Sequence, residues 1–208
     1  MSYIKEIAYY QDDRSEVPNQ TLAKKLANDN NKEGLDEMTS YLMDKNKSIA
    51  SDCLKVLYEA SYIKPTLIVN YFDLFRTLLN SNNNRMVWGS MIALSSIATV
   101  APEKVYEIKD LILNKVETGS VITNVHGVYA VIHMASFDAY YSELKAVLFA
   151  LQKKCRPVDF AKRAESMMDV IRAEDRVAYA SLLESRKPEL SNAAQKRVQK
   201  VIKHLKEK

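Results

Sequence analysis

Glycine and proline are scarce in this chain, at 4 Gly and 5 Pro among 208 residues. Nine of 208 is about 4%, where an ordinary protein carries roughly 12% of the two together. A sandwich or barrel needs a tight turn every ten residues or so, many of them at positive φ, and these residues are too few to supply them. Cysteine is equally sparse: Cys53 and Cys155 stand far apart, with no C-x-x-C or Cys/His spacing near either. A zinc site is therefore not expected, and both read as buried thiols. No apolar run reaches the 18 residues of a membrane span. The N-terminal stretch "MSYIKEIAYY" is charged at Lys5 and Glu6 and lacks the unbroken apolar core of a signal peptide. A cytoplasmic protein with no membrane partner is expected. Phosphate-cradling G-x-x-x-x-G-K-[ST] and G-x-G-x-x-G loops and the G-x-S-x-G elbow are missing too, which removes support for the common nucleotide and hydrolase sites.

What is present is ordinary in bulk and uneven in distribution. Hydrophobic residues make up 47% and charged residues 27% of the chain, so a folded core is expected and wholesale disorder is not. The net charge is +4. Residues 145–208 carry 16 Lys/Arg against 8 Asp/Glu, whereas residues 1–144 carry 14 against 18, so +8 faces −4. Much of the excess lies in "SNAAQKRVQKVIKHLKEK", an amphipathic helix pattern with Val198, Val201, Ile202 and Leu205 as its stripe. Lys196, Arg197, Lys200 and Lys203 fall off that stripe and are the candidate contacts for weak, non-specific binding of nucleic acid or another polyanion. The alternative is a terminal helix whose outer face is simply solvated.

The chain repeats itself. "VHGVYAVIHMA" at 125–135 lies over "VWGSMIALSSI" 38 residues earlier, matching Val87 with Val125 and Gly89 with Gly127; a further step back reaches Ile49 and Ser51. The preceding segments repeat at 37, aligning Leu74, Leu111 and Leu148, then Phe75, Ile112 and Phe149. Pro65 and Pro102 keep the same spacing, each suited to the first turn of a helix. Two helices per 37–38 residues is the sequence pattern of an α-solenoid, whose units bury their apolar faces only against neighbours. Second helices are predicted at 47–61, 85–99, 122–135 and 159–172, and "SNAAQKRVQKVIKHL" would be a fifth. The Asn-rich turns at 44–48 and 80–84 fit the same plan, since asparagine tolerates left-handed backbone and bonds the backbone locally. Residues 1–29 fit no repeat and are expected to form an irregular N-terminal cap on a single array running from 30 to 208.

On these grounds the chain resembles the HEAT-repeat and armadillo-like families over residues 30–208. The resemblance implies an all-α, right-handed α-α superhelix with second helices along the concave surface. It also implies a structural ladder joining Lys47 and Arg85 to Asp44 and to Asn82 or Asn84, interrupted by Thr123 in the next slot.

That placement organises the candidate site. Trp88 and His126 occupy one repeat slot, and with Tyr129, His133 and the basic pair Lys162 and Arg163 they are the residues expected in a concave groove. The other reading is that Trp88 and His126 pack between repeats with their ring nitrogens satisfied. A metal shared by His126 and His133 is not expected, because seven residues of helix separate them by about 10.5 Å against bond lengths of about 2 Å. Nor does either histidine have an acid three or four residues away to orient it as a general base. No cofactor is expected. The function anticipated is a non-enzymatic scaffold binding a protein or peptide in its groove. The alternative follows from a resemblance to the HEAT-like alkylpurine DNA glycosylases, which set aromatic residues and a carboxylate around an extruded base. Here the sequence offers one Trp and no acid near it in the matching helices.

Overall fold

The computed structural model describes residues 2–207. Twelve α-helices and four short 3-10 turns make up the regular structure of the described residues, with no strand among them. The chain divides into two compact units, the first ending at Ala130 and the second beginning at Val131, where the repeat pattern alone suggested one uninterrupted array.

In the first unit the helices are α1 (Val17–Asn28), α2 (Lys32–Ser40), α3 (Lys47–Ile63), α4 (Phe72–Leu78), α5 (Asn84–Ile97), α6 (Pro102–Glu107) and α7 (Lys109–Thr118), followed by the start of α8 (Val121–Ala135). The second unit holds the rest of α8 with α9 (Asp138–Lys154), α10 (Pro157–Met167), α11 (Arg176–Arg186) and α12 (Asn192–Glu207). The predicted second helices are α3, α5, α8 and α10, with α12 as the fifth. Three of the four begin and end within two residues of prediction. The fourth, α10, stops at Met167 instead of continuing to 172. Arg172 is extended there (φ −69°, ψ 157°), and its amide donates to the Tyr141 hydroxyl at 3.1 Å rather than to a helical carbonyl.

Helix punctuation explains the regular spacing. Asn46 and Asn83, 37 residues apart, cap α3 and α5 by accepting from the amides of Ser48 and Arg85, both at 3.0 Å. Ser120, another 37 residues on, accepts from the Thr123 amide at 3.3 Å, and Pro157 occupies the first turn of α10 a further 37 along. A side-chain oxygen here satisfies one of the amides that the first helical turn leaves without a partner. The Asn-rich turns therefore work through the expected local bonding of asparagine to the backbone, as N-caps, and without left-handed residues. Among the described residues, positive φ outside glycine occurs only at Asp12 and Asn30. Asn30 ends α1: its amide donates to the Ala27 carbonyl at 3.3 Å and the Asn31 amide to Leu26 at 2.9 Å, a Schellman closure. Nor do the expected ladder partners meet. Asp44 accepts from the Asn46 amide at 2.7 Å instead of pairing with Lys47.

Residues 17–28, expected to be part of an irregular cap, form α1. Leu22, Ala23, Leu26 and Ala27 are buried along one face of it, and that face packs on α3. The apolar spacing of α1 matches a helix but not the 37-residue repeat, so it has no counterpart in the other units. Ahead of it, the N-terminal residues are tied down by polar bonds. Glu37 accepts from the Ser2 hydroxyl (2.6 Å) and from the amides of Tyr3 (2.7 Å) and Ile4 (3.3 Å).

Core contacts between helices follow the small slots. α3 packs against α1, α2 and α5, and Gly89 of α5 meets it side-on. A methyl group at Gly89 would stand 2.5 Å from Leu54 Cδ2 and 2.9 Å from its Cγ. One at Gly127 would collide with Val116 Cγ2 of α7, with Met91 of α5 at 3.6 Å. Both glycines mark close approaches, but Gly127 meets its own first helix before the neighbouring second helix. In the preceding helices, Phe75 and Ile112 are fully buried in the aligned slot, while in α9 the buried residue is Leu148. Its neighbour Phe149 is half-buried against Tyr179, ring centroids 5.3 Å apart, so the register slips by one residue in the second unit.

Two outcomes follow. Gly89→Leu and Gly127→Leu should each overpack and cost about 1–3 kcal/mol, read as a lowered midpoint in denaturant unfolding. Burial pushes the Glu37 carboxyl up, but the three hydrogen bonds to it outweigh burial and hold it below its ordinary 4.5. A carboxylate with a depressed folded pKa contributes stability above its unfolded value and loses it as pH falls through the folded one. Protection of the Tyr3 and Ile4 amides from hydrogen exchange, measured against their intrinsic rates, should therefore fall as pH drops through the depressed pKa of Glu37, and Glu37→Gln should show that lower protection already at pH 7.

Candidate functional site

The first unit holds a pocket of about 450 Å³ between the N-terminal segment, α3 and α5. Its aromatic wall is Trp88, half-buried on α5, and Tyr58 on α3, their ring centroids 5.8 Å apart and edge to face at 60°. Tyr62 continues the row one turn along α3, 6.4 Å from Tyr58. Burial, and next the nearby Glu59 carboxylate, push the Tyr62 phenol up to about 12.

Charged groups share the same space. Lys55 lies on α3 with its Nζ 5.0 Å from the Tyr58 ring centroid, and pairs with both Glu16 and Glu59 at 2.8 Å. Burial disfavours its ammonium form, but hydrogen bonds to Glu16 and Glu59 override this and raise its pKa, so Lys55 is charged at any physiological pH. Asp52 accepts from the Tyr9 amide at 2.8 Å and from Asn19 Nδ2 at 2.9 Å, while Asn19 Oδ1 accepts from the Ala8 amide at 2.9 Å. These bonds hold the segment before α1 against α3. Asp12, Arg14 and Arg85 complete the rim.

Of the residues singled out from sequence, Trp88 lines this pocket. His126 and Tyr129, one turn apart on α8, form a second aromatic pair, edge to face with centroids 5.7 Å apart. His133 lies past residue 130, in the second unit, and is half-buried. Among the described residues no three His, Cys, Asp or Glu side chains converge as metal ligands do. Lys162 is exposed on α10, but its neighbour Arg163 is not available to a groove. It is 8% exposed and donates from Nη1 to the Leu151 carbonyl at 2.7 Å, joining α10 to α9. Adjacent positions on a helix point about 100° apart, so the expectation of both residues in one groove holds for Lys162 alone. Both cysteines are free, buried thiols.

On α12, Val198, Val201, Ile202 and Leu205 are buried as the stripe predicted. Lys196, Lys200 and Lys203 point outward with Arg197. Arg197, however, makes a two-pronged pair with Glu165 of α10, Nε to Oε1 at 2.8 Å. Lys203 lies 3.5 Å from Glu207.

Sequence reasoning missed Lys55, Glu16, Asp52 and Asn19. A signal was there for Lys55, a single cation within "CLKVLYEA" with Glu59 four residues on. Glu16 and Asn19 lie outside the repeat and carried none, and Asp52, though within it, has its partners Tyr9 and Asn19 outside. The structure also corrects the expectation that no acid lies near Trp88, since Glu16 and Asp52 line its pocket.

No protein-family model matches the chain, and no curated protein sequence matches it. Solved structures do. A designed armadillo repeat protein in complex with the peptide (KR)4 superposes with a TM-score of 0.70 at 13% identity, over 94% of this chain and 92% of that one. An engineered protein gives a TM-score of 0.66 at 13% identity over 100% and 98%. Another designed armadillo repeat protein gives 0.62 at 12% identity over 91% and 92%. At such identities the likeness concerns fold. The class is an all-α helical-repeat protein, and its architecture is armadillo- or HEAT-like. No helix of the described residues is long and apolar enough to cross a membrane.

Proposed function

We propose that this chain is a non-enzymatic helical-repeat scaffold that binds a protein or peptide partner, with the Trp88–Tyr58 pocket as its anchoring site. The observation that carries this is Trp88, half-buried at a pocket of about 450 Å³, held edge to face on the buried Tyr58 ring and flanked by charged groups. A half-exposed Trp or Tyr in a recess is the kind of residue that dominates interface energies. His126 and Tyr129 offer a second aromatic contact on α8. The peptide in the complex of the designed armadillo neighbour supports peptide capture as something this architecture does.

A second reading, nucleic-acid binding, rests on α12. Arg197 is already paired and three lysines remain outward, so contact with phosphates would be sparse. Around Trp88 the carboxylates Glu16, Asp52, Asp12 and Asp13 disfavour a DNA backbone.

The chain has one tryptophan, so its emission reports on the pocket directly. Peptides selected by display on the immobilised protein should shift Trp88 emission. Trp88→Ala should weaken their binding by about 2 kcal/mol or more, with a smaller loss for His126→Ala. Selected peptides that bind Trp88→Ala as tightly as the parent would refute the assignment. Duplex DNA should bind weakly, regardless of sequence, with a log–log salt slope no steeper than about −3. Binding that survives physiological salt, or release of a base from an alkylated duplex, would favour the DNA reading.

A further inference from the structure

The pocket beside Trp88 holds more negative charge than its own cations answer. The carboxylates of Asp12, Asp13, Glu16 and Asp52 line it, against Arg14, Arg85 and Lys55. Lys55 belongs to a pair of its own, because Glu59, four residues along α3, meets its ammonium at 2.8 Å. Glu16 reaches the same ammonium, also at 2.8 Å, but its charge is surplus to a pair that Glu59 completes. Four carboxylates therefore stand against two guanidinium groups. Asp12, Asp13 and Asp52 take part in no ion pair among the described residues, and the side chains of Arg14 and Arg85 are exposed to water.

The aspartates are positioned without being discharged. Asp52 accepts from the Tyr9 amide at one oxygen and from Asn19 Nδ2 at the other. Asp13 accepts from the Ser15 amide at 2.7 Å, and that bond holds its carboxyl below the ordinary 3.8. A carboxylate has about four acceptor sites, so each keeps capacity for a further donor. Asp12 and Asp13 come from the segment before α1 and Asp52 from α3, so the acids approach from two elements. The rings differ in availability. Tyr58 is 4% exposed, and Lys55 Nζ already lies 5.0 Å from its centroid. Trp88 is half-buried and Tyr9 is 45% exposed, so these two are the rings that an incoming group can reach.

We infer that the pocket takes an arginine side chain of the partner peptide, its guanidinium donating to these aspartates and lying against the Trp88 ring. This rests on the proposal that the pocket is the peptide site, and it adds the chemistry of the side chain selected there. A guanidinium is planar and carries five donors in a fixed fork, so it can bond carboxylates on two elements while stacking on an indole. An ammonium is a more strongly hydrated point charge and does not stack. A partner's carboxylate would enter a space that already has negative charge in excess.

The test titrates the full chain with four end-blocked peptides, GSLRLSG, GSLKLSG, GSLQLSG and GSLELSG, following Trp88 emission at low salt. The arginine peptide should bind most tightly, then the lysine peptide, with the glutamate peptide weakest. Asp12→Asn combined with Asp13→Asn should weaken the arginine peptide by roughly 3- to 10-fold and leave the glutamine peptide unchanged. Arg85→Gln, which removes a competing cation, should tighten the arginine peptide. These side chains are exposed, thermal unfolding is followed in parallel, and a general loss of structure would not give opposite signs in the two variants. Equal or tighter binding of the lysine or glutamate peptide overturns the inference, as does unchanged arginine-peptide binding in the double aspartate variant. Trp88-dependent peptides from the display selection that lack arginine would overturn it while leaving the pocket as a peptide site; absence of any Trp88-dependent binder would remove both.

Discussion

Helix α3 is the member against which the first unit is built. Its fully buried residues, Cys53, Val56, Leu57 and Ala60 among them, are covered by α1, α2 and α5, and none of those helices could bury its own apolar face alone. Close approach is what makes the covering dense. At Gly89 the backbone of α5 comes within a methyl's reach of Leu54, and side chains beyond that contact inherit their positions from it. Trp88 is the residue beside Gly89, so the distance between its ring and Tyr58 depends on a glycine that touches no ligand. The polar strip left over on α3, with Asp52, Lys55 and Tyr58, becomes the floor of the pocket because every other side of the helix is occupied.

The fold and the site differ in how they are encoded. Paired helices, their spacing and the small slots could be read directly, since a repeated unit presents the same burial problem several times and solves it with similar residues. Caps were legible by position and by the local bonding expected of asparagine. Only the backbone shows that Asn46 and Asn83 accept those hydrogen bonds as extended N-caps and not from left-handed turns. Trp88 was legible because a lone large ring in a repeated slot is conspicuous. Its charged neighbours were not, because Glu16 reaches Lys55 across 39 residues and from a segment with no counterpart in other repeats. Contacts made once, between non-repeating and repeating parts, leave no period to detect. Arg163 shows the complementary difficulty: a basic residue next to another reads as surface until the helix rotation is known.

Charge in this chain is sorted at two scales. At long range the first two thirds is acidic and the last third basic, but that asymmetry is softened locally by pairs such as Arg197 with Glu165 and Lys145 with Asp175. Exposed pairs of this kind contribute little to stability and are screened within about 8 Å at physiological salt. Lys55 is different because water is largely excluded from it. A charge in that setting acts over short distances with much greater effect, which makes a modest number of groups around Trp88 weigh more than the larger basic excess on α12.

The asparagine caps bear on which sequence changes the helix starts can absorb. Aspartate at position 46 or 83 would keep the oxygen that accepts from Ser48 or Arg85 and add a negative charge at the end of a helix that favours one. The helix starts would therefore survive that exchange, and the same tolerance lets a third repeat use Ser120. Asn30 answers to a different requirement, a left-handed backbone that this chain also sets at Asp12, so aspartate would serve there too, whereas a β-branched side chain would strain the end of α1.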